Sequence, residues 1–153
     1  MAIKTSAGQR GFTLLELLIA FSIAGLLLAV SVPASYKMYQ SMQYREAVRD
    51  VRQALESARY TAMLQGKPTD VILTPRIKRL TYANGESRDL PEFVDLETQT
   101  AQEQMATPDA ATIRFFGDGS STGGTVKIGR NNRWVRLHVG WLLGRVEQTV
   151  DES

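Results

Sequence analysis

The chain has 153 residues, no cysteine, a single histidine (His138) and a formal net charge of +2 from 18 basic and 16 acidic side chains. That length suits one domain. Disulfides, zinc–thiolate sites, cysteine nucleophiles and paired catalytic histidines are excluded, and the charge balance alone does not mark a nucleic-acid binder.

A short polar leader, residues 1–11, carries Lys4 and Arg10; without it the remainder holds 16 basic and 16 acidic residues. Residues 12–32 then hold a single charge, Glu16, among Leu, Ile, Val, Ala and Phe. As a helix, these 21 residues would extend roughly 31 Å, enough for a bilayer core of about 30 Å. A secretory signal peptide would have the basic start and small residues near Ala34, but its apolar stretch would be shorter and uncharged. A plain uncleaved anchor would leave Glu16 unexplained. A carboxylate in hydrocarbon costs about 2.5–3.5 kcal/mol on insertion scales, and such groups usually serve a function.

The string Gly11-Phe12-Thr13-Leu14-Leu15-Glu16, with the basic leader before it and Pro33 after the apolar run, resembles the cleavage motif of type IV pilins and pseudopilins. The resemblance implies cleavage between Gly11 and Phe12 by a prepilin peptidase and N-methylation of Phe12. It implies assembly roles for Glu16 and Pro33. It also places the leader in the cytoplasm, which charge alone does not settle, because Lys37, Arg45, Arg49 and Arg52 follow on the far side. Cleavage would create an α-amino group four residues before Glu16. In lipid, an amine and a carboxylate cost less as a pair than apart. The pair could form between neighbouring subunits or within one chain.

The helix is expected to continue past the apolar run. Tyr44, Val48, Val51, Leu55, Ala58 and Ala62 recur at intervals of four and three, one stripe of an amphipathic helix. Arg45, Glu46, Arg49, Asp50, Arg52, Gln53 and Arg59 read as its solvated face. Gly66-Lys67-Pro68 is a stop signal. Residues 12–65 would extend about 80 Å if wholly helical, with Pro33 bending the helix or removing a hydrogen bond. The short stripe could pair in a coiled coil, but the chain's own sheet is the expected partner.

Strands are expected at residues 71–73, 77–82, 93–96, 112–116, 126–128 and 134–139, with a closing segment over 141–150. Asn84-Gly85, Asn131-Asn132 and Leu143-Gly144 read as turns, and residues 98–108 and 117–124 as loops. The fold class is α+β: a long N-terminal helix, half transmembrane and half amphipathic, packed on an antiparallel β-sheet. The divisions are a leader (1–11), a transmembrane helix (12–34), an amphipathic helix (35–66) and a β domain (67–153).

The string Phe115-Phe116-Gly117-Asp118-Gly119-Ser120, the late Trp141-Leu142-Leu143-Gly144-Arg145-Val146 and the helical Ala58-Arg59-x-x-Ala62 are similar to the GspH/FimT family. The family implies a pilin-like fold and one of two jobs. One is a minor pseudopilin near the tip of the periplasmic pseudopilus of type II secretion, which helps export folded proteins. The other is a minor pilin of a type IV pilus, with a role in DNA uptake for some members. The partners implied are other minor pseudopilins, the major pseudopilin, prepilin peptidase and the inner-membrane assembly platform. The implied location is a single pass of the bacterial inner membrane with the C-terminal domain in the periplasm. DNA-binding members carry Gly-Arg-x-Arg late in the chain; here Arg145 matches, but Glu147 stands at the second basic position. That carboxylate disfavours DNA.

Arg133, Arg136 and Arg145, beside Trp134 and Trp141, remain the candidate nucleic-acid contacts. The 117–124 loop lacks the Gly-Lys-[Ser/Thr] ending of a P-loop, and Asp118 with Ser120 is too few ligands for calcium. His138 reads as a structural strand residue, with no serine and acid at triad spacing. No catalytic residue, metal or cofactor is expected, and the chain reads as a non-enzymatic filament subunit.

Overall fold

The computed structural model describes residues 12–100 and 109–152, with side chains described except at 30–34 and 152. The expected leader, Gly11 and most of the 98–108 loop lie outside the described residues. Two compact units divide at Gln40 and Ser41.

One helix, α1, runs from Leu14 to Gln65. Thr13 caps it: its hydroxyl accepts the Glu16 amide at 3.2 Å, and its carbonyl accepts the Leu17 amide at 3.2 Å. The helix continues through Pro33. Gly66 ends the helix in the left-handed region, at φ +62°, where a side chain would be strained. Among the described residues, no helix is long and apolar enough to cross a membrane.

Eight strands follow: β1 (Thr69–Thr74), β2 (Arg79–Thr81), β3 (Ser87–Asp89), β4 (Asp95–Gln99), β5 (Ala111–Phe115), β6 (Gly124–Arg130), β7 (Arg133–Val139) and β8 (Val146–Glu152). They form two four-stranded antiparallel sheets rather than one, in the orders β3-β2-β1-β5 and β4-β6-β7-β8. Val71, Leu73, Leu80, Ile113 and Phe115 point inward from the first sheet, and Leu96, Val126, Ile128, Val135, Leu137 and Val139 from the second. They meet the α1 stripe in one core. Val48, Val51, Leu55, Ala58 and Ala62 are all buried, with Ala47 and Ala54 beside them, and Tyr44 packs at the margin.

The helix is tied to both sheets along its flanks. Toward the first sheet, Arg88 pairs with Glu46 at 2.9 Å and with Asp50 at 2.7 Å. Toward the second, the Tyr44 hydroxyl donates to the Ile128 carbonyl at 2.9 Å, and Arg130 donates to Ser41 at 3.1 Å while stacking over Phe93. So Glu46 and Asp50 are anchored rather than merely solvated.

Several element boundaries differ from those expected, for reasons of pairing. Residues 77–82 are not one strand: Pro75–Ile77 is a 3₁₀ turn ending at a left-handed Lys78, and only Arg79–Thr81 pairs. Around 93–96 the strand starts later, because Val94 donates to the Pro91 carbonyl in a turn. It then continues through Thr98 and Gln99, which were expected in a loop, because β6 offers a complete ladder. The exposed Ser87–Asp89 carries no apolar signal and is a strand only by its pairing with β2. Over 141–150, pairing begins at Val146. Asn131 and Asn132, both at positive φ, form the hairpin turn between β6 and β7.

Burial pushes the Asp50 carboxyl above its ordinary range, and Arg88 offsets this only in part. Arg88→Ala should therefore destabilise the fold at neutral pH by about 1 kcal/mol, a value held down by the half exposure of Arg88 itself. The gap to the parent should narrow as pH falls and Asp50 takes up a proton. Thermal unfolding at neutral and acid pH reads both effects.

Candidate assembly motif and arginine strands

Phe12 is 79% exposed, and Glu16 is an exposed acid in the first turn of α1. The order Thr13-x-x-Glu16 is that of a capping box, and a carboxylate here also favours the positive end of the helix dipole. Glu16 thus has a local reason to sit at this position, which was not read from the sequence. Pro33 lies within the helix.

The structure does not gather the three candidate arginines. Arg133 starts β7, and Arg145 follows the turn beyond its far end, where its carbonyl accepts the Gly140 amide at 3.0 Å. Seven strand residues separate the two places, about 20 Å. Arg136 lies between them and pairs with Asp151. On the outward face of that sheet, the register sets Lys127 beside Arg136, Glu97 beside Lys127, Glu147 beside His138 and Asp151 beside Trp134. Carboxylates thus border the cations on both sides, which opposes a phosphate backbone. Trp134 is held by packing: a Cβ on Gly129 would come within 2.7 Å of its ring. His138 is exposed, and its Nδ1 lies 3.1 Å from the Thr125 hydroxyl.

The remaining motif residues converge on one corner, and their work there is structural. Asp118 accepts the Ser120 amide at 2.9 Å and its hydroxyl at 2.6 Å, closing the loop after β5. Gly117 packs on the helix end, where a Cβ would lie 2.8 Å from Gly66. Arg59 donates from Nε to the Leu143 carbonyl at 2.9 Å. Gly144, at φ +57°, leaves only 2.5 Å between a would-be Cβ and the Gly119 carbonyl. Helix, loop and late turn therefore lock together through close backbone approach. Among the described residues, no group of three or more His, Cys, Asp or Glu is placed to hold a metal ion. A 660 Å³ groove between α1 and β1 is lined by Ser57, Thr61, Asp70 and Tyr82 among others, and Asp70 is taken up by Arg114 at 2.7 Å.

Residues 6–32 match the prokaryotic N-terminal methylation motif, and residues 47–142 match the family described as type II transport protein GspH. The chain belongs to the GspH family. Type II secretion system protein H of Xanthomonas campestris pv. campestris is 30% identical over 138 residues, covering 90% of this chain and 81% of that protein. A fimbrial protein of Pseudomonas aeruginosa is 30% identical over 128 residues, covering 83% of this chain and 82% of that one. In fold, the minor pseudopilin EpsH from the type 2 secretion system of Vibrio cholerae is similar, with a TM-score of 0.56 at 15% identity over 70% of this chain and 96% of that chain. The GspH-family chain is thus a homologue of type II secretion protein H with a pilin-like fold.

Gly144→Ala should cost about 1–3 kcal/mol from strained φ, and more from the contact with Gly119. Full stability in that variant, by thermal unfolding, would contradict the locked corner. The hydrogen bonds from Ser120 hold the Asp118 carboxyl below its ordinary range. Its contribution is therefore present above the unfolded-state pKa of about 3.9 and is lost as pH falls through the lower folded value. Asp118→Asn should accordingly be less stable than the parent near neutrality, with the difference shrinking in acid.

Proposed function

We propose that this chain works as a minor pseudopilin, a structural and non-catalytic subunit near the tip of a type II secretion pseudopilus that helps export folded proteins. The observation that carries the reading is the joining of two features on one helix. The Phe12-x-x-x-Glu16 motif starts α1, and the GspH-family domain is built on its later turns. Prepilin peptidase would cut between Gly11 and Phe12, and the new amine of Phe12 would be methylated. The apolar residues 12–34 would hold the subunit in the inner membrane, with the domain in the periplasm. They would then pack against the helices of other minor and major pseudopilins as the assembly platform extracts the subunit. Pro33 would loosen the backbone ladder where that packing is made.

Glu16 would neutralise the Phe12 amine of a neighbouring subunit, setting register as the subunit enters. The separation of Arg133 from Arg145 and the carboxylates around Arg136 speak against DNA uptake as the main role, although the fimbrial relative keeps the type IV pilus in view.

Two substitutions separate charge pairing from helix capping at Glu16. Glu16→Gln retains a capping-box residue but removes the charge. Both Glu16→Gln and Glu16→Ala should be cleaved as the parent is and fail to enter filaments, read by immunoblot of membranes and sheared fractions. Normal incorporation of Glu16→Gln would contradict the pairing. A bulky residue at Gly11 should leave the unprocessed form to accumulate, and unchanged processing would count against the peptidase site.

A further inference from the structure

Directly after the apolar run, α1 changes character without becoming an ordinary polar helix. Tyr36 is 63% exposed and Tyr39 is 58% exposed, with Lys37 between them. Spaced three residues apart, the two rings share one helix face. None of the three belongs to the packed core, which begins only at Ala47 apart from Tyr44 at its margin.

Their position along the helix fits one environment. Counting from Val32, the last residue of the apolar run, Tyr36 lies about 6 Å and Tyr39 about 10 Å further along the axis. The polar layer on each side of a bilayer core is roughly 5–8 Å thick. Side chains on a helix lean toward its N-terminus, here toward the lipid, so the Tyr39 ring is drawn back into that layer. Tyrosine suits it, with an apolar ring facing acyl chains and a hydroxyl facing headgroups. Lys37 supplies a long apolar stem and a cation that complements anionic headgroup phosphates.

We propose that Tyr36, Lys37 and Tyr39 form a collar that docks in the periplasmic headgroup layer and fixes the depth of α1 before assembly. The collar rests on the membrane-anchor reading given above. It gives the waiting subunit a defined height, with Glu16 held near the opposite end of the apolar run. Extraction into a filament would then have to remove two tyrosines and a lysine from the interface as well as the apolar run.

The absence of cysteine makes the test direct. Single cysteines at Tyr36→Cys and Tyr39→Cys are spin-labelled in the full chain, reconstituted in vesicles of phosphatidylethanolamine and phosphatidylglycerol. Leu26→Cys serves as the deep reference and Gln53→Cys as the aqueous one. Oxygen and nickel-chelate accessibilities give the depth of each label. The collar predicts labels at 36 and 39 between the two references, with nickel access several-fold below that at 53. Labels at 36 and 39 as open to nickel as that at 53, with 26 protected, would overturn the collar and leave the anchor standing. They would then be surfaces kept in water for another subunit. Full nickel access at 26 would overturn the anchor, and the collar with it. As a second readout, charge-reversing Lys37→Glu should weaken protection at 36 in phosphatidylglycerol vesicles and have less effect in vesicles of neutral lipid alone. Equal protection in both lipids would remove Lys37 from the collar.

Discussion

Everything in the folded domain depends on seating one helix on two sheets at once. The stripe Val51, Leu55, Ala58 and Ala62 is wholly buried, and fully burying an aliphatic side chain of Val or Leu size contributes about 1.5–3 kcal/mol. The small residues Ala54, Ala58 and Ala62 let both sheets come close to the helix axis. Phe115, Leu73, Ile113, Ile128 and Leu137 then fill the space from either side. The ion pairs of Arg88 and the hydrogen bonds of Tyr44 and Arg59 fix rotation and register, because they bind from opposite flanks. The family's motif residues make sense as parts of this seat. Gly117 and Gly144 are where backbone meets backbone, and a larger residue would pry the loop or the late turn from its seat; Gly119 is held to glycine by its left-handed φ of +86°.

The same helix has two different tasks along its length. Its later turns are bound by the domain's core. Its first turns carry exposed apolar side chains, such as Leu14, Leu15, Phe21 and Leu26. Such exposed apolar side chains suit the proposed role, in which the segment would sit first in lipid and then among the helices of a filament. Glu16 adds the one directional element: a carboxylate at the positive end of a helix, capped by Thr13 and close to where a new amine would arise. Local capping and the proposed intersubunit pairing are compatible, since the first orders the turn that the second would require.

How much of this was legible in the sequence follows from how local each signal is. The helix stripe, the Gly66 stop and the Asn131-Asn132 turn depend on neighbours within a few residues, and each is found where its pattern lies. Division into two sheets depends on β5 returning to β1 and β4 pairing with β6, contacts between distant segments that no short pattern encodes. The polar β3 and the end of β4 are strands only because a partner edge completes their hydrogen bonds. Arg59 has the look of a solvated residue in the sequence because its acceptor is a main-chain carbonyl, which leaves no trace in residue types. The arginines stand together as a list of residues, but the fold sets Asp151 against Arg136 and a strand's length between Arg133 and Arg145. The N-terminal motif is the opposite case: its match to the methylation motif rests on residue identity at fixed spacing, which the sequence carries directly.

The most direct test of the assignment to secretion is chemical crosslinking in native membranes, followed by purification of this chain and mass identification of what is bound to it. The account predicts other minor pseudopilins and the major pseudopilin of a type II secretion system. Recovery of type IV pilus subunits instead would contradict it and move the chain to the pilus.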